Sequence, residues 1–559
     1  MPLLDLTEAF FAGHGHDLWW LLLLAAAFVL VGGSRFGTET QDPREPQVLK
    51  PKIPLVGHIV GLVGSRQQYY RRLGLENPHL PIFSMSMGGS QKIYIIKAPQ
   101  LIQVAQKNKS LSLHPVMAEF ADRMVGLGPN IIDLFHHQSA DGSIAWIDDQ
   151  HRAFASLAPG PNLQKMNSYA LNRIAKIINA IGNDFETKKL YLWLRDSFTM
   201  ATVGSLFGDK NSLMTDVTLS HNYWDYDSGQ AQLLLRPFPS LTARKAYKSR
   251  AKVQQALRQY LRQDFDNVAD VSAIIKERVT INRKWGLPID DIADHEFGML
   301  FVSVTNAIPT LFWMICYVFC DPGLVADLEK ELLPLADIQE QGGTTAIASD
   351  STDSKCPRTR RATFSIAKFQ TACPLLVSTY KEVMRFTNRA MGTRRVLQDT
   401  LISFTPSSVS GQAQDEQTYL LRKGANIQIP AIITNFDPEV WGANVHDFDP
   451  RRFMTTDRER ERAQNRAFNP FGGGKHLCPG RFFADAEILG TLAALVLGFD
   501  IETPEGSRLE VPPINNNLAE AVGKPLQSVQ KNMLARIRRK PGWEDVTWAY
   551  TVGVPPKSP

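Results

Sequence analysis

Residues 471–480 read FGGGKHLCPG, and they place Cys478 in a glycine-rich loop just ahead of an apolar helical pattern that begins at Arg481. Glycine permits tight and left-handed turns, so the loop can bring backbone amides close to the sulfur atom. Amides and the positive end of a helix both favour a thiolate. The loop therefore predicts a thiolate ligand for iron, of the kind that heme accepts. The alternative is a buried, inert cysteine.

Two further patterns lie upstream of this loop. Residues 382–385 read EVMR within a helical stretch, which places Glu382 and Arg385 on one helix face, where they can form an ion pair. Residues 448–453 read FDPRRF and supply a second arginine, Arg452. Charged pairs of this spacing are usually solvated, but the context of this one is apolar. Two guanidinium groups on one carboxylate would form a rigid cluster with a structural role.

The three patterns, in this order, resemble those of the cytochrome P450 family, with E-x-x-R, then P-x-R-F, then F-G-x-G-x-[RH]-x-C-x-G. The resemblance extends over nearly the entire chain and is closest to microsomal and fungal members. It implies a mainly α fold with small β-sheets and one heme b. Cys478 would be the axial iron ligand and Phe471 would contact the heme. Glu382, Arg385 and Arg452 would hold a loop to a helix behind it.

The resemblance also implies residues that bind the heme propionates. Arg394 follows Arg385 by nine residues, the spacing at which the family carries a propionate-binding arginine. Arg395 is the rival to Arg394, and spacing does not decide between them. His476 in the cysteine loop would bind a propionate as well.

A further propionate contact in the family comes from a W-x-x-x-R pattern on an earlier helix. In this chain Trp146 is followed at that spacing by Gln150, and then by His151 and Arg152. The register departs from the pattern, and Trp146 and Arg152 are the residues expected in its place.

A long apolar helical pattern runs from about residue 290 to residue 320. Most of the family carries [AG]-G-x-[DE]-T at its centre, where the acid and the alcohol relay protons to dioxygen. Here residues 303–309 read SVTNAIP, so that no acid is present and Asn306 stands where the alcohol is expected. N-x-[IG]-P followed by an aromatic residue resembles the branch of cholesterol 7-alpha-hydroxylase and prostacyclin synthase. Asn306 and Thr305, with water, would then handle protons.

The proline in this helix has a physical consequence of its own. Pro309 has no N–H to donate to the carbonyl of Thr305, four residues earlier, so the helix is expected to bend there. A bend with loose polar groups makes room for dioxygen and water. The alternative is a packing kink without function.

Composition limits the classes of protein that remain. The chain has 559 residues and a net charge of +5, which does not suggest a nucleic-acid binder. Its five cysteines are odd in number and unevenly spaced, which argues against a disulfide framework and for a reducing compartment. We find no zinc-like cysteine pairing, Walker loop or dinucleotide-binding glycine pattern.

An apolar run near the N-terminus predicts a membrane anchor. Residues 18–33 (LWWLLLLAAAFVLVGG) would span about 24 Å as a helix, against about 30 Å for a bilayer core. Lysine and arginine follow the run but do not precede it, which places the bulk of the chain in the cytosol. A cleaved signal peptide is the alternative, but its basic n-region is missing. We expect an anchor over 1–34, a proline-rich linker over 35–57 and a catalytic domain over 58–559.

Two segments of the catalytic domain differ from their surroundings. Residues 339–363 are rich in Ser, Thr, Gly and Asp, which predicts a disordered surface loop. Residues 233–239 (LLLRPFP) form an apolar stretch that in the family lies over the substrate pocket and often enters the membrane. An ordinary packed loop is the alternative for this second segment.

The resemblance implies a heme-thiolate monooxygenase of the endoplasmic reticulum membrane, with a single-pass anchor and a cytosolic catalytic domain. Electrons would come from NADPH through NADPH-cytochrome P450 reductase. The substrate would be lipophilic, such as a sterol, a terpenoid or another polycyclic secondary metabolite. The nearest alternative is a reductase-independent heme-thiolate isomerase or dehydratase of the prostacyclin synthase type. A non-catalytic heme or lipid carrier is a third possibility, although a carrier has no need of a thiolate ligand.

Overall fold

The computed structural model describes residues 41–51, 57–87, 92–137, 144–341, 359–405, 415–517 and 520–553. Helices dominate these residues. In chain order the α-helices are α1 Ile59–Ser65, α2 Gln67–Glu76, α3 Pro99–Lys107, α4 His114–Phe120, α5 Pro129–His136, α6 Ala145–Ala153, α7 Pro161–Asn179, α8 Leu190–Phe207, α9 Val217–Ser228, α10 Gln230–Leu235, α11 Pro239–Thr242, α12 Arg244–Arg262, α13 Ala273–Lys284, α14 Ile289–Val304, α15 Ala307–Phe319, α16 Pro322–Leu332, α17 Phe369–Ala372, α18 Pro374–Thr387, α19 Ala431–Thr434, α20 Pro438–Trp441, α21 Arg458–Ala467, α22 Arg481–Gly498 and α23 Gln527–Asn532.

Short strands accompany the helices and pair into small sheets. They are β1 Ile82–Ser86, β2 Lys92–Ile96, β3 Leu111–Ser112, β4 Glu186–Lys189, β5 Ala336–Gln341, β6 Thr359–Ser365, β7 Met391–Val396, β8 Thr400–Phe404, β9 Gln417–Leu421, β10 Asn426–Pro430, β11 Phe499–Glu502, β12 Leu534–Arg539 and β13 Val546–Thr551.

Several helices begin where the sequence supplies a local start signal. The side chains of Asp216, Asp321 and Asp457 accept hydrogen bonds from the first backbone N–H groups of α9, α16 and α21. Proline occupies the first turn of α7, α16 and α18, where its fixed φ suits a helix and its missing N–H costs nothing. Local residues thus set where these helices begin.

The described parts of Met1–Leu113 and Met391–Thr434 form one compact unit. Its main sheet has the strand order β1-β2-β10-β7-β3, with β10 parallel to β2 and antiparallel to β7. Strands β8 and β9 pair separately. Tyr94, Ile96 and Ile427 from this sheet are buried in the core of the unit.

The described parts of His114–Ala390 and Asn435–Pro559 form a second compact unit. Helix α22 lies deep in this unit, and every residue from Ala486 to the end of the helix is buried. A helix that is apolar on all faces belongs in a core. Helices α7, α15 and α16 pack against it, and the sheets β11-β12-β4 and β13-β6-β5 belong to the same unit.

The long helix predicted over about residues 290–320 is divided in two. A turn at Thr305 and Asn306 separates α14 from α15. The break falls where the sequence predicts a bend, since Pro309 cannot donate to the carbonyl of Thr305. Among the described residues, Ile289–Phe319 is long and apolar enough to cross a membrane, but 78% of its most apolar window is buried inside the protein. It is therefore a core helix.

The mainly α architecture with small sheets confirms the predicted fold class. The anchor predicted over 1–34 lies outside the described residues. Part of the linker predicted over 35–57 is folded, because Leu49 donates a backbone hydrogen bond to Ser84 of β1 at 2.9 Å. The catalytic domain predicted over 58–559 includes residues of both units, and its extent stays a prediction.

The bounds of the loop predicted over 339–363 need a correction. Strands β5 and β6 enter it from both sides, because Ala336–Gln341 pairs antiparallel with Thr359–Ser365. Ala362 and Phe364 of β6 are buried, and this packing outweighs the polar composition of the segment. Residues 342–358 lie outside the described part of the chain.

Candidate active site

Cys478 lies in a tight loop that leads directly into α22. Its N–H donates to the carbonyl of Phe471 at 2.9 Å, and this bond closes the loop. Gly472 and Gly474 have positive φ angles of 75° and 62°, a region that favours glycine. A Cβ atom on Gly472 would lie 3.3 Å from the carbonyl oxygen of His476, so a side chain would crowd the turn. The half-buried Cys478 side chain is held at the end of this turn.

The Cys478 thiol is subject to opposing influences. Burial raises its pKa, whereas the backbone N–H groups of Gly480 and Arg481 and the charge of Arg481 lower it; burial dominates. The amides that the sequence predicts are thus in place, but in the protein alone they do not outweigh desolvation. Iron coordination deprotonates a thiol outright, because the charge of the ion exceeds these effects.

Glu382, Arg385 and Arg452 meet in one cluster whose side chains are fully buried. Arg385 donates two hydrogen bonds to the Glu382 carboxylate, from Nε and Nη2, each at 2.8 Å. Arg452 donates a third from Nε at 2.9 Å, and the backbone N–H of Asp449 a fourth at 3.1 Å. A buried carboxylate with this many donors is well satisfied.

The two arginines extend the cluster into the chain around it. Arg385 Nη1 donates to the carbonyls of Asn435 and Val445, at 2.7 and 3.0 Å. Its guanidinium also lies against aromatic rings, with 5.2 Å to the ring centre of Trp441. Arg452 donates its remaining hydrogen bonds to the segment 441–447. The cluster therefore fixes α18 to the chain that follows α19.

Asn306 is half-buried in the turn between α14 and α15. Its carbonyl accepts hydrogen bonds from the N–H and the hydroxyl of Thr310, at 3.3 and 2.9 Å. Its carboxamide makes no hydrogen bond with any described residue. Val302, one helical turn earlier, is 55% exposed although Phe301 beside it is buried. This face of the divided helix therefore carries an amide without a hydrogen bond to any described residue and, one turn away, an exposed valine.

Thr305 is buried and makes its contacts with another helix. Its hydroxyl donates to Asp227 Oδ1 of α9 at 3.0 Å, and its oxygen lies 2.8 Å from the Tyr223 hydroxyl of the same helix. The other oxygen of Asp227 accepts a hydrogen bond from Lys524 Nζ at 2.5 Å. The sequence of the divided helix contains no acid at its centre, but the fold brings one to it.

His476 is one of three histidines that lie together. Its ring centre is 5.8 Å from that of His114 and 6.1 Å from that of His151. Burial lowers the pKa of His151, and the charge of Lys475 acts in the same direction while that of Asp148 opposes it. Sequence reasoning missed His114 and His151, although the dipeptide His151-Arg152 follows Trp146 at nearly the family spacing.

The polar groups of Trp146 and Arg152 are bound to other residues of the same unit. The Trp146 Nε1–H donates to Asn282 Oδ1 at 3.1 Å, inside the core of its unit. Arg152 is mostly exposed and forms an ion pair with Asp149, three residues earlier on α6. His151, between these two positions, is the residue of α6 that lies beside His476.

Arg394 and Arg395 belong to β7 in the other unit and differ in their surroundings. Arg395 donates to Asn426 Oδ1 at 2.6 Å and is half-buried. Arg394 is buried, donates to the carbonyl of Thr393 at 2.7 Å, and has no carboxylate partner among the described residues. Burial accordingly lowers the pKa of Arg394. A buried guanidinium without a counterion suits an anionic ligand.

Within the described ranges no three His, Cys, Asp or Glu side chains are arranged to hold a metal ion. A single cysteine on a closed loop suits instead an iron atom whose other ligands come from a macrocycle.

Comparison with known proteins agrees with this arrangement. The Cytochrome P450 family matches residues 46–528. The chain is 30% identical to a cytochrome P450 monooxygenase of Gibberella zeae over 95% of this chain and 96% of the relative. It is 28% identical to cytochrome P450 monooxygenase nodJ of Hypoxylon pulicicidum, over 96% and 98%. It is 22% identical to the human 7-alpha-hydroxycholest-4-en-3-one 12-alpha-hydroxylase, over 87% and 92%.

The matched residues include the cysteine loop, the buried Glu–Arg–Arg cluster and the divided helix, and they make up most of the chain. The chain belongs to the cytochrome P450 family. Members of this family bind heme b and act as monooxygenases on small molecules, and the eukaryotic members receive electrons from a redox partner.

Proposed function

We propose that this protein is a membrane-anchored monooxygenase that oxidises a lipophilic small molecule, with Cys478 as the axial ligand of the heme iron. The observation that carries the proposal is the closed, glycine-dependent loop that ends in a half-buried thiol at the start of α22. Heme held by a thiolate supplies the activation of dioxygen, because the thiolate donates electron density that favours O–O cleavage.

Residues of both units could bind the propionates of a heme. His476, His151 and His114 form a polar edge beside the cysteine, which suits a propionate. We favour Arg394 over Arg395 for the second propionate interaction, because Arg394 is the buried cation without a carboxylate partner. Trp146 and Arg152 are left out of this proposal, because their polar groups are bound to Asn282 and Asp149.

The substrate we propose is a sterol, a terpenoid or another polycyclic compound. The open face of α14 near Asn306 is apolar at Val302. The human relative acts, by its name, on a hydroxycholestenone, and the fungal relatives are monooxygenases. Similarity to these proteins supports a rigid, apolar substrate.

Electrons would come from NADPH through NADPH-cytochrome P450 reductase at the endoplasmic reticulum membrane. The alternative, a reductase-independent isomerase or dehydratase, is not favoured by the relatives, which are named monooxygenases and hydroxylases. Membrane contact is supported by the segment after α9, where Phe238 and Leu241 are 73% and 78% exposed. Exposed apolar side chains this close together are a common feature of membrane-binding sites.

The test is the absorption spectrum of the reduced protein with carbon monoxide. The wild type should show the thiolate band that names the family, and Cys478→Ala should lose it. Cys320→Ala, at a cysteine at the end of α15, is the matched control and should keep it. Retention of the band in Cys478→Ala would disprove the ligand assignment. Product formation from polycyclic substrates should then require both NADPH and reductase; turnover without either would favour the isomerase.

A further inference from the structure

A buried polar network lies against the turn that divides the central helix. Its centre is Asp227 of α9, whose Oδ1 accepts hydrogen bonds from Thr305 Oγ1 at 3.0 Å and from Gln230 Nε2 at 2.7 Å. Oδ2 accepts from Lys524 Nζ at 2.5 Å. The Asp227 carboxylate can only accept, so the Thr305 hydrogen is committed to it and the Tyr223 hydroxyl donates to Thr305 at 2.8 Å.

Lys524 is held in this position by its neighbours. The carbonyl of Gly523 accepts a hydrogen bond from Trp313 Nε1 of α15 at 2.7 Å, and a Cβ atom on Gly523 would lie 2.5 Å from Ile514. The backbone N–H of Lys524 donates to Glu520 Oε2 at 3.1 Å. Trp313 of α15 and Glu520 therefore fix the backbone around Lys524, and its ammonium group is directed at Asp227.

The ion pair is not explained by stability. Both side chains are almost completely buried, and removing two charges from water commonly costs as much as the pair returns. Apolar pairs of similar volume often stabilise a protein as well as a buried ion pair does. We therefore expect the buried ion pair to have a functional role.

The sequence position of Thr305 indicates what that role is. Thr305 stands at the position where most of the family has the acid of its proton relay, one residue before Asn306. Its hydroxyl is bound to a carboxylate from a different helix, 78 residues away in sequence. The fold thus brings the Asp227 carboxylate to the position where the helix itself has no acid. The carboxylate reaches this position through the Thr305 side chain.

We infer that Asp227 and Lys524 replace the acid of the divided helix and deliver protons through Thr305 to the side of the turn that carries Asn306. This inference rests on the proposed monooxygenase function. A proton moves from Lys524 Nζ to Asp227 Oδ2, and the neutral carboxyl group then turns so that its O–H faces Thr305 Oγ1. The Thr305 hydroxyl turns its own hydrogen toward water beside Asn306 and releases it there as it accepts the proton of Asp227, which becomes a carboxylate again. Lys524 regains a proton from solvent by way of water and Glu520, so no group gains or loses hydrogen over a cycle.

A second observation supports the route to solvent. The Tyr191 hydroxyl is buried and has no hydrogen-bond partner among the described residues. Its pKa is raised well above the usual range, first by burial and then by the charges of Asp227 and Glu520. A buried hydroxyl without a protein partner marks a place for ordered water. Such water would connect Glu520, which is only partly buried, to the network.

The test compares a charge-free variant with one that removes only the carboxylate charge. Asp227→Asn keeps the shape but cannot take up a proton, and it leaves Lys524 without its counterion. Asp227→Leu with Lys524→Met removes both charges and avoids that penalty. Asp294→Asn is the matched control, because it removes the partner of Arg258 on the same central helix, away from Thr305. Heme content and melting temperature are measured for each before function.

Both network variants should release product at no more than about one tenth of the wild-type yield per NADPH, with peroxide in its place. Substrate affinity from spectral titration should stay within about twofold, since the network acts on protons. The infrared stretch of carbon monoxide bound to the reduced protein should shift in both variants and not in Asp294→Asn. The carbon monoxide stretch can be measured without catalytic turnover.

Wild-type coupling in the folded Asp227→Leu, Lys524→Met variant would overturn the inference and leave the ion pair as a structural tie. An unchanged carbon monoxide stretch in that variant would also overturn it. Absence of NADPH-dependent product in the wild type itself would reject the proposed function instead.

Discussion

Arg385 contacts both oxygens of the Glu382 carboxylate, one helical turn earlier on α18, and neither side chain has access to solvent. Arg452 and the backbone N–H of Asp449 complete the set of donors. This contact makes α18 and the segment 441–452 one rigid body at their junction. Loss of the carboxylate would leave two cations buried without a counterion.

Glu382→Gln should therefore prevent stable heme incorporation. Breaking a buried charge cluster costs roughly 3–5 kcal/mol, which is a large share of the stability of a protein. The measurement is heme content per protein and melting temperature after purification. Asp327→Asn is the control, because it removes the exposed partner of Arg451, next in sequence to Arg452, and should change little. A soluble, fully loaded Glu382→Gln protein with wild-type stability would refute the role of the cluster.

The cluster could be anticipated because its signals are local. Arg385 is the third residue after Glu382, a spacing that a helix converts into contact, and the second arginine is part of a recognisable motif. The break at Thr305 follows from one residue, Pro309, in the same way. The cysteine loop was predictable because the positive φ angles of its turn favour glycine, which the sequence supplies at 472 and 474. In each case a short stretch of sequence contains the whole physical cause.

Other parts of the site depend on contacts between distant segments. Asp227 and Lys524 are 297 residues apart and belong to no motif, so only the fold shows that they meet at Thr305. His151 is not apparent from the sequence, because a W-x-x-x-R pattern that begins at Trp146 points to residue 150, whereas the ring of His151 is the one that lies beside His476. The extent of the loop over 339–363 was overestimated because pairing of β5 with β6 is a long-range interaction. Composition does not reveal such pairing.

Glu487 of α22 should make stability depend on pH. Burial raises its pKa to about 8, and the hydrogen bond from Thr202 Oγ1 at 2.9 Å offsets this only in part. The ordinary value is 4.5, so between about pH 4.5 and 8 the folded protein binds more protons than the unfolded chain. The free energy of unfolding should fall in this window as pH rises, by up to about 1.4 kcal/mol per pH unit.

Glu487→Gln should flatten this dependence and stabilise the protein at about pH 8 relative to the wild type, because no charge then forms inside the core. Thr202→Val should extend the dependence to higher pH, since the charged form loses its donor and the pKa of Glu487 rises further. Thermal unfolding between pH 5 and pH 9 measures both. Glu510→Gln, at an exposed position, should follow the wild type. Parallel curves for Glu487→Gln and wild type would contradict the assignment.

Phe238 and Leu241 should bind the membrane independently of the predicted N-terminal anchor. Removal of residues 1–35 leaves the whole family match over 46–528, and the truncated protein should still associate partly with membranes. Phe238→Glu with Leu241→Glu should then release it, because each side chain contributes about 1.5–3 kcal/mol when it leaves water. Flotation with neutral lipid vesicles measures the bound fraction.

Val217→Glu is the control for this experiment. Val217 is also an exposed apolar residue, but it lies at the other end of α9, about 17 Å along the helix axis from its last residue. It should leave binding of the truncated protein unchanged. Equal loss in all variants would indicate a general effect of added charge and not a membrane contact at Phe238.

Asn306 should determine how efficiently electrons are used for product formation. Its carboxamide is half-buried and uncommitted, whereas its backbone carbonyl is bound by Thr310. An amide can donate a hydrogen bond where an alcohol would, but it does not release a proton as an acid does. Asn306→Ala should therefore raise the amount of NADPH consumed and peroxide released per product, and Asn306→Thr should partly preserve coupling.

Ser303→Ala is the matched control on the same helix, because the Ser303 hydroxyl is already bound to the carbonyl of Met299 at 2.8 Å. The ratio of product to NADPH, measured with reductase and a polycyclic substrate, separates these variants. Full turnover of a natural substrate by the wild type without any electron donor, with Asn306→Ala altering only which product forms, would instead identify an isomerase.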